Sequence, residues 1–100
     1  MIIYNTTFHL EDNIEELWLK WMKETYIPLL LDTSLFTKQL FCKVLVDESM
    51  GGKTYSLQLF VRDMNTYNQY DNEYANKAKA VLKSKWRNQV LTFSTLLEQV

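Results

Sequence analysis

Residues 14–31, I-E-E-L-W-L-K-W-M-K-E-T-Y-I-P-L-L-L, decide how the rest of the chain must fold. Ile14, Leu17, Trp18, Trp21 and Met22 recur at i, i+3, i+4, i+7 and i+8, the spacing of one side of a helix, while Glu15, Glu16, Lys20, Lys23 and Glu24 fall mostly on the other side. Each of the two tryptophans can bury on the order of 200 Å², so the stripe needs a broad apolar partner. A sheet supplied by the flanking segments is that partner. Pro28 lacks an amide proton and its ring clashes with the carbonyl four residues back, so a kink or stop is expected at Tyr26 and Ile27. Leu29, Leu30 and Leu31 continue as an apolar extra turn at the edge of the core.

On either side of this helix the apolar period changes to two. Residues 2–10 are rich in β-branched and aromatic types and place Ile2, Tyr4, Thr6, Phe8 and Leu10 on one face, with Ile3, Asn5, Thr7 and His9 on the other. Asp12 or Asn13 is the expected cap of the helix that follows. Residues 36–47 read as a second strand, with Phe36, Lys38, Leu40, Cys42, Val44 and Val46 on its more apolar face and Thr37, Gln39, Phe41, Lys43 and Leu45 opposite. Residues 48–53, E-S-M-G-G-K, hold both glycines of the chain and form the expected hairpin connection. Residues 54–62 then send Tyr55, Leu57, Leu59 and Val61 to the core and Thr54, Ser56, Gln58, Phe60 and Arg62 away from it.

A second helix is expected from a cap at Asn65 or Thr66. Its stripe uses Tyr67, Tyr70, Tyr74, Ala78, Val81, Leu82 and Trp86, with Glu73 and Lys77 spaced for an ion pair. Residues 90–97 close the series as a strand that sets Val90, Thr92, Ser94 and Leu96 against Leu91, Phe93, Thr95 and Leu97. The order β-α-β-β-α-β over a single domain, residues 1–100, specifies an α+β fold of the ferredoxin-like type: a four-stranded antiparallel sheet with two helices on one face. The second sheet face is then expected to carry Asn5, Thr7, His9, Phe41, Gln58, Phe60, Arg62, Thr92 and Ser94, among others. That mixture is too apolar to stay wet and too polar for a dry core, so a homodimer packed sheet to sheet into an α/β barrel is expected, with a small apolar or aromatic ligand in its lumen.

Charge narrows the partners. With 11 basic and 12 acidic residues dispersed along 100, no basic field exists to gather nucleic acid or an anionic membrane. No segment approaches a membrane span, and the N-terminus lacks a signal-peptide pattern. The lone Cys42 cannot form an internal disulfide and suits a reducing interior, so a cytoplasmic location is expected.

M-I-I-Y-N-T-T-F at the start, E-L-W-L-K-W-M-K-E-T-Y-I-P in the first helix and T-F-S-T-L-L-E at the end resemble an uncharacterised bacterial family of proteins of this length, in the dimeric α/β-barrel superfamily. The resemblance spans almost the whole chain and implies the fold and the dimer, but no activity. The chain departs from the family pattern at Tyr26, at Ser34 and Leu35, and at Ser94, where the pattern has histidine, glycine and arginine respectively.

Candidate chemistry is sparse. His9 is the only histidine, so no two-histidine metal site exists within one chain and no metal or cofactor is expected. His9 and Asn5 are the weak catalytic candidates; Asn5, Thr7, His9, Phe41, Gln58, Phe60 and Arg62 are the candidate ligand lining. The resemblance brings an alternative, a cofactor-independent monooxygenase using the same cavity, with Arg62 facing a substrate oxyanion. A third reading is an interaction module that pairs through the open sheet. K-T-Y-S-L-Q-L-F lacks the glycine and second paired aromatic of an RNA-recognition strand, and Gly51-Gly52-Lys53-Thr54 lies between strands rather than ahead of a helix as a phosphate loop would. Glu15 with Glu16, or Asp71 with Glu73, sits on helix faces expected to be solvated, which leaves no acid/base couple.

Overall fold

A computed structural model describes residues 1–45, 49 and 51–100. The elements run β1 (Ile2–Leu10), a 3-10 turn (Asp12–Ile14), α1 (Glu15–Trp21), a π-helical turn (Met22–Tyr26), α2 (Ile27–Leu31), β2 (Lys38–Lys43), β3 (Lys53–Val61), α3 (Met64–Glu73), α4 (Ala75–Trp86), a second 3-10 turn (Arg87–Gln89) and β4 (Val90–Glu98). The strands form one antiparallel sheet in the order β2-β3-β1-β4. This is the β-α-β-β-α-β ferredoxin-like arrangement that the alternating periods specify. The expected continuation of β2 through Val46 and Asp47, and Glu48 and Met50 of the hairpin, lie outside the described residues.

β1 and β3 bury the faces their alternation indicates. Ile2, Tyr4, Phe8 and Leu10 lie opposite Val61, Leu59, Tyr55 and Lys53, and Tyr55, Leu57, Leu59 and Val61 are all buried. The faces of β2 and β4 are the reverse of the expectation. Directly opposed residues of an antiparallel pair share a face. Phe41 pairs with Leu57 and so turns to the helices, while Lys38, Leu40 and Cys42 pair with Phe60, Gln58 and Ser56 on the open side. In β4, Val90, Thr92, Ser94 and Leu96 pair with Leu10, Phe8, Thr6 and Tyr4 on the helix side, and Leu91, Phe93, Thr95 and Leu97 lie on the open face. Both strands are sheet edges and carry apolar residues on each face, so only cross-strand register decides their orientation.

The first helical stretch does not stop at Pro28. The amide of Ile27 donates to the Met22 carbonyl, five residues back, and this wider turn carries the ladder past the proline, which sits in the first turn of α2 where its missing donor costs little. The buried side chains are Ile14, Trp18, Met22, Tyr26, Ile27 and Leu30. Leu17, expected in the stripe, is 69% exposed, because a face advancing four residues at a time leaves it outside. Trp18 is 0% exposed and contacts Phe8, Phe41 and Tyr55 at centroid distances of 5.4, 5.7 and 5.1 Å.

The expected caps differ as well. Asp12 does not cap α1; it accepts from the Gly52 amide at 3.2 Å and pairs with Lys53 at 3.6 Å, tying the β2–β3 turn to the start of the helix. Asp63, rather than Asn65 or Thr66, caps α3 by accepting from the Thr66 amide and hydroxyl, both at 2.8 Å. The second helix breaks at Tyr74, at φ −127°, into α3 and α4. The break disturbs the one-turn spacing of Glu73 and Lys77, and Glu73 accepts instead from the Gln69 side chain at 3.3 Å. Among the described residues, no helix is long and apolar enough to cross a membrane.

Candidate functional site

The open sheet face gathers some of the expected lining residues and disperses others. Asn5 lies between Gln58 on β3 and Thr95 on β4, and its Oδ1 accepts from the Ser56 hydroxyl at 2.9 Å. Thr7 is flanked by Ser56 and Phe93, and Phe60 by Ile3 and Lys38, whose ammonium stands 5.3 Å from the phenyl centroid. His9 sits at the far end of β1, exposed, with Nδ1 3.0 Å from the Thr54 hydroxyl. Arg62 follows the opposite end of β3, exposed, and helps hold the Asp63 carboxyl below its ordinary range after the Thr66 bonds. Eight residues of strand separate Thr54 from Arg62, roughly 26 Å at about 3.3 Å per residue, so His9 and Arg62 do not meet in one subunit. Phe41 is absent from this face, being packed against Trp18 and Tyr55.

A better-formed concavity lies on the other side of the sheet. Under the helices, Tyr4, Thr6, Tyr26, Tyr70, Thr92 and Ser94 contribute the polar lining of a cavity of about 60 Å³ whose remaining walls include Phe8, Leu30, Leu57, Leu59 and Leu82. The Ser94 hydroxyl stands 3.2 Å from Thr6 Oγ1 and 3.4 Å from the Tyr4 hydroxyl. Tyr26 is 6% exposed and Tyr70 2%, and their hydroxyls, without a hydrogen bond among the described residues, open onto the cavity; the fully buried side-chain polar atoms without a partner among those residues are the Trp18 and Trp86 indole nitrogens. Burial, reinforced by Tyr4, pushes both hydroxyls far above the ordinary tyrosine range, so they stay protonated donors across any physiological pH. Tyr67, stacked obliquely on Tyr4 at 5.4 Å, is raised for the same reasons.

This cavity opens outward. Lys79, Leu82 and Thr92 line both it and a cleft of about 780 Å³ between the C-terminal half of α4 and the start of β4, where Lys83, Arg87, Val90 and Leu91 add to the walls. The cleft exists because the helical layer stops short of β4, whose residues after Val90 are exposed. Its size falls within the range of small-molecule sites, and the inner cavity extends it by the room of about two water molecules. The sequence held two signals for it: the tyrosines clustered in α3, and the basic residues Lys79, Lys83 and Arg87 recurring through the end of α4 and the turn that follows. The inverted orientation of β4 concealed its third wall. Among the described residues, no group of three His, Cys, Asp or Glu side chains stands together as a metal set.

The family model described as a domain of unknown function, DUF4286, matches residues 1–100. No curated protein matches the sequence. Among solved structures, the chain is similar to an ethyl tert-butyl ether (EthD) family protein from Bacillus halodurans C-125, with a TM-score of 0.74 at 13% identity over 100% of both chains. It is similar to HapK from Hahella chejuensis, with a TM-score of 0.72 at 9% identity over 100% of this chain and 93% of that one. A dimeric ferredoxin-like protein from an uncultured marine organism gives a TM-score of 0.74 at 16% identity, covering 100% of this chain and 95% of its own. At these identities the likeness establishes the fold.

Proposed function

This chain belongs to the DUF4286 family, whose description names no activity, and from its own geometry we propose that it is a homodimer that binds a small molecule in the helix–sheet cleft of each subunit. The observation that carries the binding site is the inner cavity at the end of the cleft, which the Tyr26 and Tyr70 side chains line and where neither hydroxyl makes a hydrogen bond among the described residues. A guest that accepts from these hydroxyls gains hydrogen bonds worth about 0.5–1.5 kcal/mol each. The leucines around them favour an apolar or aromatic body. The ligand site thus moves from the expected barrel lumen to the opposite side of the sheet, while the sheet face keeps its role as the dimer seam.

The dimer reading is supported by Leu40, Leu91, Phe93 and Leu97, all exposed on one face beside the half-buried Ile3 and Phe60. Phe60, Ile3 and Leu97 form one row across three strands and Leu91 and Phe93 continue along β4, more apolar surface on one sheet face than a monomer usually leaves in water. The solved neighbour described as a dimeric ferredoxin-like protein supports the same assembly. Exposed, unpaired Cys42 on the outer strand of this face supports a reducing, cytoplasmic setting.

The binding site is tested by titrating the full chain with small aromatic and aliphatic compounds while following its amide and tyrosine ring resonances. Compounds that bind are expected to shift Tyr26, Tyr70 and Ser94 together, and Ser94→Leu, which fills the inner cavity, is expected to abolish the shifts. Shifts confined to the open sheet face would return the site to the barrel lumen.

A further inference from the structure

Three cationic side chains line the outer cleft, and its electrostatics select among ligands. Lys79 and Lys83 stand one turn apart on the edge of α4, Arg87 follows in the 3-10 turn just beyond the helix, and all three line the same cleft. Like charges at this spacing repel and weaken a helix. Among the described residues none of the three makes an ion pair, in contrast to Lys43 with Glu15 at 3.3 Å and Lys53 with Asp12 at 3.6 Å elsewhere on the surface. The positive charge thus faces the cleft without a carboxylate from the protein to balance it.

Arg87 adds an independent sign. Its backbone lies at φ +53° and ψ −128°, a region that glycine occupies without strain and that a side chain with a Cβ enters only at a cost. Glycine is the usual solution just past a helix C-terminus. Holding an arginine there places a guanidinium at the mouth of the cleft, beside Val90 and Leu91.

Resting on the cleft assigned above as the ligand site, we infer that its ligand is an organic anion, a compact aromatic or apolar body bearing a carboxylate. The body enters between Leu82 and Val90 toward Tyr26 and Tyr70, and the carboxylate remains at the mouth, where Lys83 and Arg87 donate charge-assisted hydrogen bonds. Arginine presents the planar fork that a carboxylate matches with two bonds. The apolar inner walls argue against a bare inorganic anion, which would lose its hydration there without compensation.

Charge-matched pairs test this: benzoate against benzamide, and naphthoate against naphthamide, with inorganic phosphate as the anion that has no apolar body. Binding to the full chain is followed by calorimetry and by amide shifts. The acids are expected to bind at least roughly tenfold tighter than their amides, the factor one charge-assisted hydrogen bond supplies. Lys83→Gln with Arg87→Gln is expected to erase that difference by weakening acid binding to the level of the amides. Arg87→Gly is expected to raise the melting temperature by about 4 °C as the strain is released, while weakening acid binding. Amides binding in the cleft as tightly as acids would overturn the anion inference and leave the cleft as a site. If no acid or amide shifts the cleft residues, both readings fall. Phosphate shifting the same residues as strongly as benzoate would overturn the organic class.

Discussion

The Trp18 indole rests against the Phe41 ring with centroids 5.7 Å apart, and this contact draws the outer strand β2 onto the same core as α1. Trp18 is fully buried, yet its Nε1 has no acceptor among the described residues. Two opposed contributions therefore meet in one side chain: a large apolar area removed from water and a donor left without a partner. Trp18→Ala should lower the unfolding free energy by about 3–5 kcal/mol. Trp18→Phe, which keeps a ring between Phe8 and Phe41 and removes the orphan donor, should cost only about 1 kcal/mol. Urea unfolding midpoints of the two variants separate packing from polar desolvation; equal losses would contradict this account.

Gly51 and Gly52 both adopt positive φ, at +81° and +84°, but their surroundings differ. A Cβ on Gly51 meets only the Asp12 carboxylate at 4.0 Å, whereas one on Gly52 would lie 2.5 Å from His9 Nε2 and 3.1 Å from the Leu10 carbonyl. Gly51→Ala should cost about 1 kcal/mol from backbone strain alone, and Gly52→Ala should cost more, since the Leu10 carbonyl belongs to the sheet and cannot yield. Thermal melts of the two variants give the order.

The buried tyrosines make a prediction for alkaline pH. Tyr26, Tyr67 and Tyr70 are all held protonated by burial above their ordinary value of 10.0. The folded state thus resists ionisation that the unfolded chain accepts. Their stabilisation is complete below pH 10 and is lost as pH rises beyond it. Tyrosinate absorbance should rise in two stages, the second coinciding with loss of helical circular dichroism, and Tyr26→Phe should move that second stage to higher pH.

Phe93 is 69% exposed on the edge strand β4, on the open sheet face opposite Thr7. If this face is the dimer seam, burying the ring contributes about 2 kcal/mol in each copy. Phe93→Lys should then yield a monomer by light scattering at micromolar concentration with unchanged circular dichroism. A wild-type monomer under the same conditions would remove the dimer from the proposal.

Of the expected site residues, those on the inner strand pair were legible in advance. Asn5, Thr7, Gln58 and Phe60 share one face because β1 and β3 have neighbours on both sides and bury a single, strongly apolar face. Phe41, Thr92 and Ser94 were not legible, for they belong to edge strands whose two faces differ little in polarity. Tyr26 and Ser94, far apart in the chain, line one cavity, and Ser34 takes φ +63°, where glycine would be relaxed.

The sequence by itself determined the order of elements, the stripe of α1 and the buried faces of β1 and β3, because each is written in a local period of apolar residues. Tertiary structure alone decided the rest. The register of β2 and β4 arises from contacts between segments distant in the chain. So does the meeting of Tyr4, Tyr26, Tyr70 and Ser94. A one-residue shift of an edge strand reverses every side chain it carries, and no local pattern in such a strand is strong enough to forbid it.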